Sequence, residues 1–220
     1  MLQNRKKIRS VSAILAMQGS GKTALMQYLL MCNPKSCIIF DPTGSLEPFK
    51  NRVFIDYETQ SVSKIINKIG RKNLYTKKID IVIQRCDDVE SVLKLIYNNL
   101  ENICIVIDEI DLCYTATLPN YTYLYKICNF GRHKCLDLIG VARRPANMPR
   151  ALTSQSNYLY LGNSNNEPLD LKYIKSFVDS KTFNKYQALQ KYHFLRYDTQ
   201  KHFSECFKLP KLALKMLNIQ

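Results

Sequence analysis

Two short stretches carry side chains whose types and order can do chemistry. The first is Ala16-Met17-Gln18-Gly19-Ser20-Gly21-Lys22-Thr23, between an apolar run (Val11 to Leu15) and a helix-like run (Ala24 to Met31). In that strand–loop–helix setting, Gly19 and Gly21 permit a tight turn whose N–H groups point inward, a nest for phosphate. The positive end of the helix that starts near Lys22 adds to the attraction. Lys22 is placed to reach the β- and γ-phosphates of a nucleotide, and the Thr23 hydroxyl to ligate Mg²⁺. The pattern is a P-loop, or Walker A motif, with Ala16 where the opening glycine usually stands. That position closes the loop rather than touching phosphate, so a small alanine is a mild departure. Gln18, Gly19, Ser20, Gly21, Lys22, Thr23 and Ala24 form the candidate ATP-binding segment.

The second stretch is Ile103-Cys104-Ile105-Val106-Ile107-Asp108-Glu109. An apolar run ending in two acids predicts a buried parallel strand whose carboxyl end opens into a ligand crevice, a Walker B pattern. Asp108 is placed to hold the water shell of Mg²⁺. Glu109 points elsewhere, toward an attacking water, which its carboxylate can orient and deprotonate. A water-activating glutamate separates hydrolytic P-loop motors from nucleotide kinases. Asp111 reads as a helix N-cap or a surface charge.

The elements that must position these residues follow from apolar periodicity. Strands are predicted at 36–40, 53–55, 79–83, 136–141 and 158–161, besides the two above. Helices are predicted at 61–69, with Gly70 as C-cap, and at 87–100, 169–178 and 181–189. Residues 118–130 are rich in tyrosine, and the apolar spacing favours a partly buried helix over a stacking platform for nucleic acid. Asp41-Pro42-Thr43-Gly44 makes a turn at a strand end, and 163–166 a polar loop. Met148 to Leu152 reads as a short turn or helix. Runs 192–197 and 202–207 around Asp198-Thr199-Gln200-Lys201 predict a closing hairpin. The expected architecture is α/β: a mostly parallel twisted sheet with helices on both faces. Residues 1–220 read as one domain, with core motifs in 11–162 and basic C-terminal helices and a hairpin in 163–220.

Lys and Arg exceed Asp and Glu by 32 to 18, a formal charge of +14 over 220 residues. That balance favours a polyanionic partner, most simply nucleic acid. No window approaches the ~18 apolar residues of a membrane span. The basic N-terminus, with Arg5, Lys6, Lys7 and Arg9, leads into the P-loop strand, so no cleaved signal is expected. The eight cysteines include no Cys-x-x-Cys pair and read as core thiols in a reducing compartment. Cys128, His133 and Cys135 lack a fourth metal ligand at a standard spacing.

In order and spacing, the P-loop, the strand ending in Asp41-Pro42-x-Gly44, the Asp108-Glu109 pair and the block from Arg132 to Pro145 resemble the FtsK–HerA superfamily of DNA-translocating ATPases. The resemblance covers roughly residues 11–162. It implies a RecA-like P-loop NTPase fold with ATP and Mg²⁺ as cofactors. It also implies a pentameric or hexameric ring around double-stranded DNA. Arg132 matches the arginine that acts in trans on a neighbour's nucleotide. Arg143 takes the place of the family's γ-phosphate-sensing glutamine. An arginine there can contact the phosphate, contact DNA, or have left the sensing role. Lys134, Arg144, Arg150 and the tail lysines are further candidates for a DNA channel. The short chain most resembles the genome-packaging ATPases of viruses with double-jelly-roll capsids. That implies a capsid vertex as partner and a place in host cytoplasm or virion. The competing readings are an ATP-driven switch or assembly ATPase that does not translocate DNA, and a small-molecule kinase.

Overall fold

Short apolar runs bounded by turn residues set the frame. The computed structural model describes residues 9–46, 51–163 and 167–210. The runs form parallel strands β1 (Val11–Leu15), β2 (Cys37–Asp41), β3 (Arg52–Asp56), β4 (Asp80–Gln84), β5 (Cys104–Ile107), β6 (Asp137–Ala142) and β7 (Tyr158–Gly162). The predicted hairpin is β8 (His193–Asp198) and β9 (Phe203–Lys208), which extends the same sheet antiparallel from β7. Among the described residues the sheet has nine strands in the order β3-β4-β2-β5-β6-β1-β7-β8-β9.

The strands read as nearly unbroken apolar runs because both faces are covered. Alternate residues of β5 enter opposite layers. Ile105 and Ile107 meet Val92, Leu93 and Leu124, whereas Cys104 and Val106 join the layer of Ala24, Leu25 and Met26. The second layer belongs to α1 (Lys22–Cys32). The first takes apolar residues from α2 (Val62–Ile69), α3 (Arg71–Thr76), α4 (Val89–Asn99), α5 (Ile110–Cys113), α6 (Tyr123–Phe130), α7 (Arg150–Gln155), α8 (Pro168–Lys175) and α9 (Ser180–Gln187). Helices thus cover both faces, as the sequence predicts. None of the described helices is long and apolar enough to cross a membrane.

Local chemistry fixes the helix ends. Gly70 ends α2 with φ 80, a backbone shape that suits glycine. Asp88 caps α4 by accepting from the Ser91 N–H at 2.9 Å. Lys78 places its ammonium on the terminal carbonyls of α1, donating to Leu30 O and to Asn33 O (2.7 Å). A cation there satisfies orphan carbonyls and the negative end of the dipole. Helix α3 was not foreseen, because its polar run leaves only Leu74 buried and shows no apolar period. The tyrosine-rich segment is the expected partly buried helix: α6 buries Leu124, Ile127 and Cys128, while Tyr121 before it is 74% exposed.

One carboxylate joins three elements. Glu90 on α4 accepts from the Tyr114 hydroxyl (2.6 Å) and from the N–H groups of Tyr123 (2.6 Å) and Leu124 (3.2 Å) at the start of α6. Burial first, and then this bond to Glu90, push the Tyr114 phenol far above its ordinary pKa. Glu90→Ala strips the acceptor from all three donors. It is expected to destabilise the fold by about 1–3 kcal/mol, read as a lower denaturation midpoint.

Candidate nucleotide site

Parallel pairing brings the carboxyl ends of β1, β2, β5, β6 and β7 to one edge. The loop after β1 is built as its sequence requires: Gly19 has φ 75 and Gly21 φ 94, which side chains rarely tolerate. The Met17 carbonyl gathers the loop inward, accepting from the Ser20 N–H (3.4 Å), the Ser20 hydroxyl (2.6 Å) and Lys22 Nζ (3.1 Å). Met17 N–H in turn donates to Asn163 O at 3.0 Å, which ties the loop to the end of β7. Of the expected loop 163–166, residues 164–166 lie outside the described residues, as do Arg5, Lys6, Lys7 and the tail lysines 211 and 215.

Ala16 has no positive φ, so its backbone does not need glycine. The space it uses is supplied by Gly162 on β7, where an added Cβ would stand 2.5 Å from Ala16 Cβ and 2.7 Å from Phe194 Cε1. Gly162→Ala therefore forces the loop strand and β8 apart. It is expected to cost about 1–3 kcal/mol by overpacking, with lower thermal stability and weaker nucleotide binding measured together. An unchanged midpoint would show that the contact relaxes freely.

Lys22 is 8% exposed at the start of α1. Burial pulls its ammonium below the ordinary lysine pKa; Asp108, Glu109 and Asp111 raise it again, and Arg143 adds to the fall. Asp108 is 3% exposed. Desolvation pushes its carboxyl up to about 6, against the Glu109 N–H that donates to it at 3.0 Å. Neighbouring Asp41 and Glu109 raise it further, and Lys22 lowers it. Glu109 is the N-cap residue of α5, with φ 47 and ψ 47. That left-handed backbone aims successive side chains 108 and 109 in different directions. Thr23 is half-buried beside Lys22.

Asp111 is neither N-cap nor surface charge. It lies inside the first turn of α5 with a side chain only 4% exposed. Its carboxylate stands 3.7 Å from Arg143 Nε and 3.5 Å from Arg143 N. Arg143 Nε also stands 3.9 Å from Glu109 Oε1. Strand alternation after β5 gave no sign that 111 would turn back into the crevice. The left-handed turn at Glu109 produces it. Asp41, fully buried, spends its oxygens on its own turn, accepting from Ser45 N–H (3.1 Å) and Leu46 N–H (2.9 Å).

Not every candidate joins this edge. Arg132 sits exposed in a 3-10 turn, Gly131–Lys134, ahead of β6, and so at the opposite edge of the sheet. The six residues of β6 put about 20 Å between the edges. The turn is held by Arg9, whose guanidinium donates to Ile127 O (2.6 Å), Leu136 O (2.7 Å) and Cys128 O (3.0 Å). Arg144 is engaged with Glu167 and Asp170, both at 3.4 Å, and Lys134 lies over the Tyr97 ring. Arg150 is exposed. Cys37, Cys104 and Cys128 are buried thiols, and burial pushes Cys128 up to about 12, but Cys32 and Cys206 are exposed, so not all eight cysteines belong to the core.

A nine-stranded, mostly parallel sheet with a glycine-rich loop between β1 and α1 is the P-loop NTPase fold. Solved structures share it. The genome-packaging NTPase B204 of Sulfolobus turreted icosahedral virus 2, in complex with sulfate, superposes with a TM-score of 0.74 at 20% identity, covering 92% of this chain and 97% of that one. B204 of Sulfolobus turreted icosahedral virus, described as a DNA-packaging ATPase, gives 0.66 at 18% identity over 91% and 98%. VirB4 of Thermoanaerobacter pseudethanolicus gives 0.62 at 10% identity over 94% and 91%. These neighbours bear out the expected P-loop NTPase fold, a mostly parallel sheet flanked by helices. No protein-family model and no curated protein matches the sequence.

Proposed function

We propose that this chain is an ATP-hydrolysing motor that translocates double-stranded DNA, packaging a viral genome into a capsid. The observation that carries the reading is the gathering of Lys22, Asp108, Glu109, Asp111 and Arg143 at the P-loop edge. The fold around them is shared with packaging NTPases over 92% of the chain. The formal charge of +14 supports a polyanionic partner.

On this reading the loop N–H groups and Lys22 hold the β- and γ-phosphates of ATP. The Thr23 hydroxyl would ligate Mg²⁺ and the buried Asp108 carboxylate would hold its water shell, both hard oxygen groups that suit the cation. A carboxylate raised to about 6 by desolvation gains from a divalent cation beside it. When bound, Mg²⁺ neutralises charge on the phosphate oxygens. Glu109 orients the attacking water and takes its proton. Arg143, held loosely between Glu109 and Asp111, turns toward the terminal phosphate when it is present and leaves Glu109 to the water. Arg132, a strand's length from its own loop, serves the nucleotide of an adjacent copy in a ring.

The test is steady-state ATP turnover at low salt, with and without long double-stranded DNA. Wild type is expected to be stimulated by DNA. Glu109→Gln is expected to bind ATP and lose turnover by at least about 100-fold, and Lys22→Ala to lose nucleotide binding. ATP affinity equal to wild type in Lys22→Ala would remove the site. Turnover indifferent to DNA would favour an ATP-driven switch over a motor.

A further inference from the structure

We propose that Tyr192 is the platform on which the base of a bound nucleoside triphosphate stacks. This rests on the nucleotide reading above and extends it to the other end of the ligand. The charged groups suited to a terminal phosphate, Asp108, Glu109, Asp111 and Arg143, come from the ends of β5 and β6. Both strands lie on one flank of β1, and β7, β8 and β9 lie on the other. A nucleotide whose γ-phosphate faces the first flank carries its base toward the second.

Three side chains of that flank approach the loop at Gly21. A Cβ added there would stand 2.7 Å from Leu209 Cδ1, 3.2 Å from Tyr192 Cδ1 and 3.9 Å from Phe194 Cε2. Leu209 and Phe194 are buried beneath the loop and act as its support. Tyr192 is half-exposed at the start of the hairpin. Its backbone has φ 62, a conformation that bulky aromatic residues seldom adopt and that clusters at ligand sites. Two bonds hold it there: Leu209 N–H donates to Tyr192 O at 3.0 Å, and His193 N–H donates to Gln190 O at 3.1 Å. Lys191 Nζ lies over one face of the ring, 5.0 Å from its centroid, so a base stacks on the opposite face. Asparagine or glycine would fit this backbone without strain; an aromatic ring is kept beside the phosphate loop instead. Such a ring binds through its face, so it accepts adenine and guanine alike. The nearby Asn163 amide, a group able to read a base edge, already donates to Leu189 O at 3.3 Å.

The experiment compares ATP, GTP and inorganic tripolyphosphate by calorimetric titration with Mg²⁺, in the Glu109→Gln chain so that no ligand is consumed. Adding Tyr192→Asn, which tolerates the left-handed backbone, is expected to weaken ATP and GTP by about tenfold or more. Tripolyphosphate, which has no base, is expected to stay within about twofold, and Tyr192→Phe to bind all three like the parent. Equal losses on nucleotides and tripolyphosphate would make Tyr192 a structural support and overturn the proposal. So would ATP affinity unchanged in Tyr192→Asn, with the P-loop reading left standing. A parent chain that binds none of the three ligands would remove the nucleotide site itself, and this inference with it.

Discussion

Burying a lysine ammonium costs free energy unless compensating charges face it, and the site is arranged around that constraint. Lys22 can be kept under the P-loop because it donates to Met17 O at 3.1 Å and because the charges of Asp108, Glu109 and Asp111 partly offset its burial. Parallel pairing makes this possible. It puts the carboxyl ends of β1, β5 and β6 at one edge, so residues more than 80 positions apart in the chain meet without a long loop. The apolar layers on both faces hold those strand ends in register. The two glycines let the loop backbone close over the lysine.

Much of this could be read from residue order. Strands with unbroken apolar runs and helices with one apolar face were legible because burial imposes a period on them. The P-loop and the Asp108-Glu109 pair were legible because their chemistry needs fixed neighbours. The contributions that escaped came from contacts across the fold. Glu90 gave no local hint that it would cap α6. Gly162 looked like a strand end, not the space that lets Ala16 stand in the loop. Asp111 read as an ordinary cap because nothing in the chain announced a left-handed turn at Glu109. Tyr192 was hidden for the same reason, since its position follows from strand order and an unusual φ rather than from a motif.

The arginines divide by environment. Arg143 and Arg144 carry charge that acids on the same chain already face. At 3.7 and 3.9 Å the pairs at Arg143 are loose, and a partly exposed guanidinium gains little from such contacts. A loosely held arginine can be drawn away by a stronger anion, as the proposed turn toward a terminal phosphate requires. Arg132 is different. Arg9 donates to three backbone carbonyls on either side of its turn, yet the Arg132 side chain is exposed at the edge remote from the P-loop.

That separation is the central claim of the proposed mechanism: one chain carries a nucleotide cradle at one edge and the arginine for another chain's cradle at the opposite edge. The most direct measurement mixes two inactive variants. Lys22→Ala keeps Arg132 but has no working cradle; Arg132→Ala keeps the cradle but has no arginine to lend. Each alone is expected to hydrolyse ATP at background rate. The mixture is expected to recover turnover wherever an intact cradle meets an intact Arg132. Wild-type turnover by Arg132→Ala alone, or a mixture as inactive as its parts, would contradict the account.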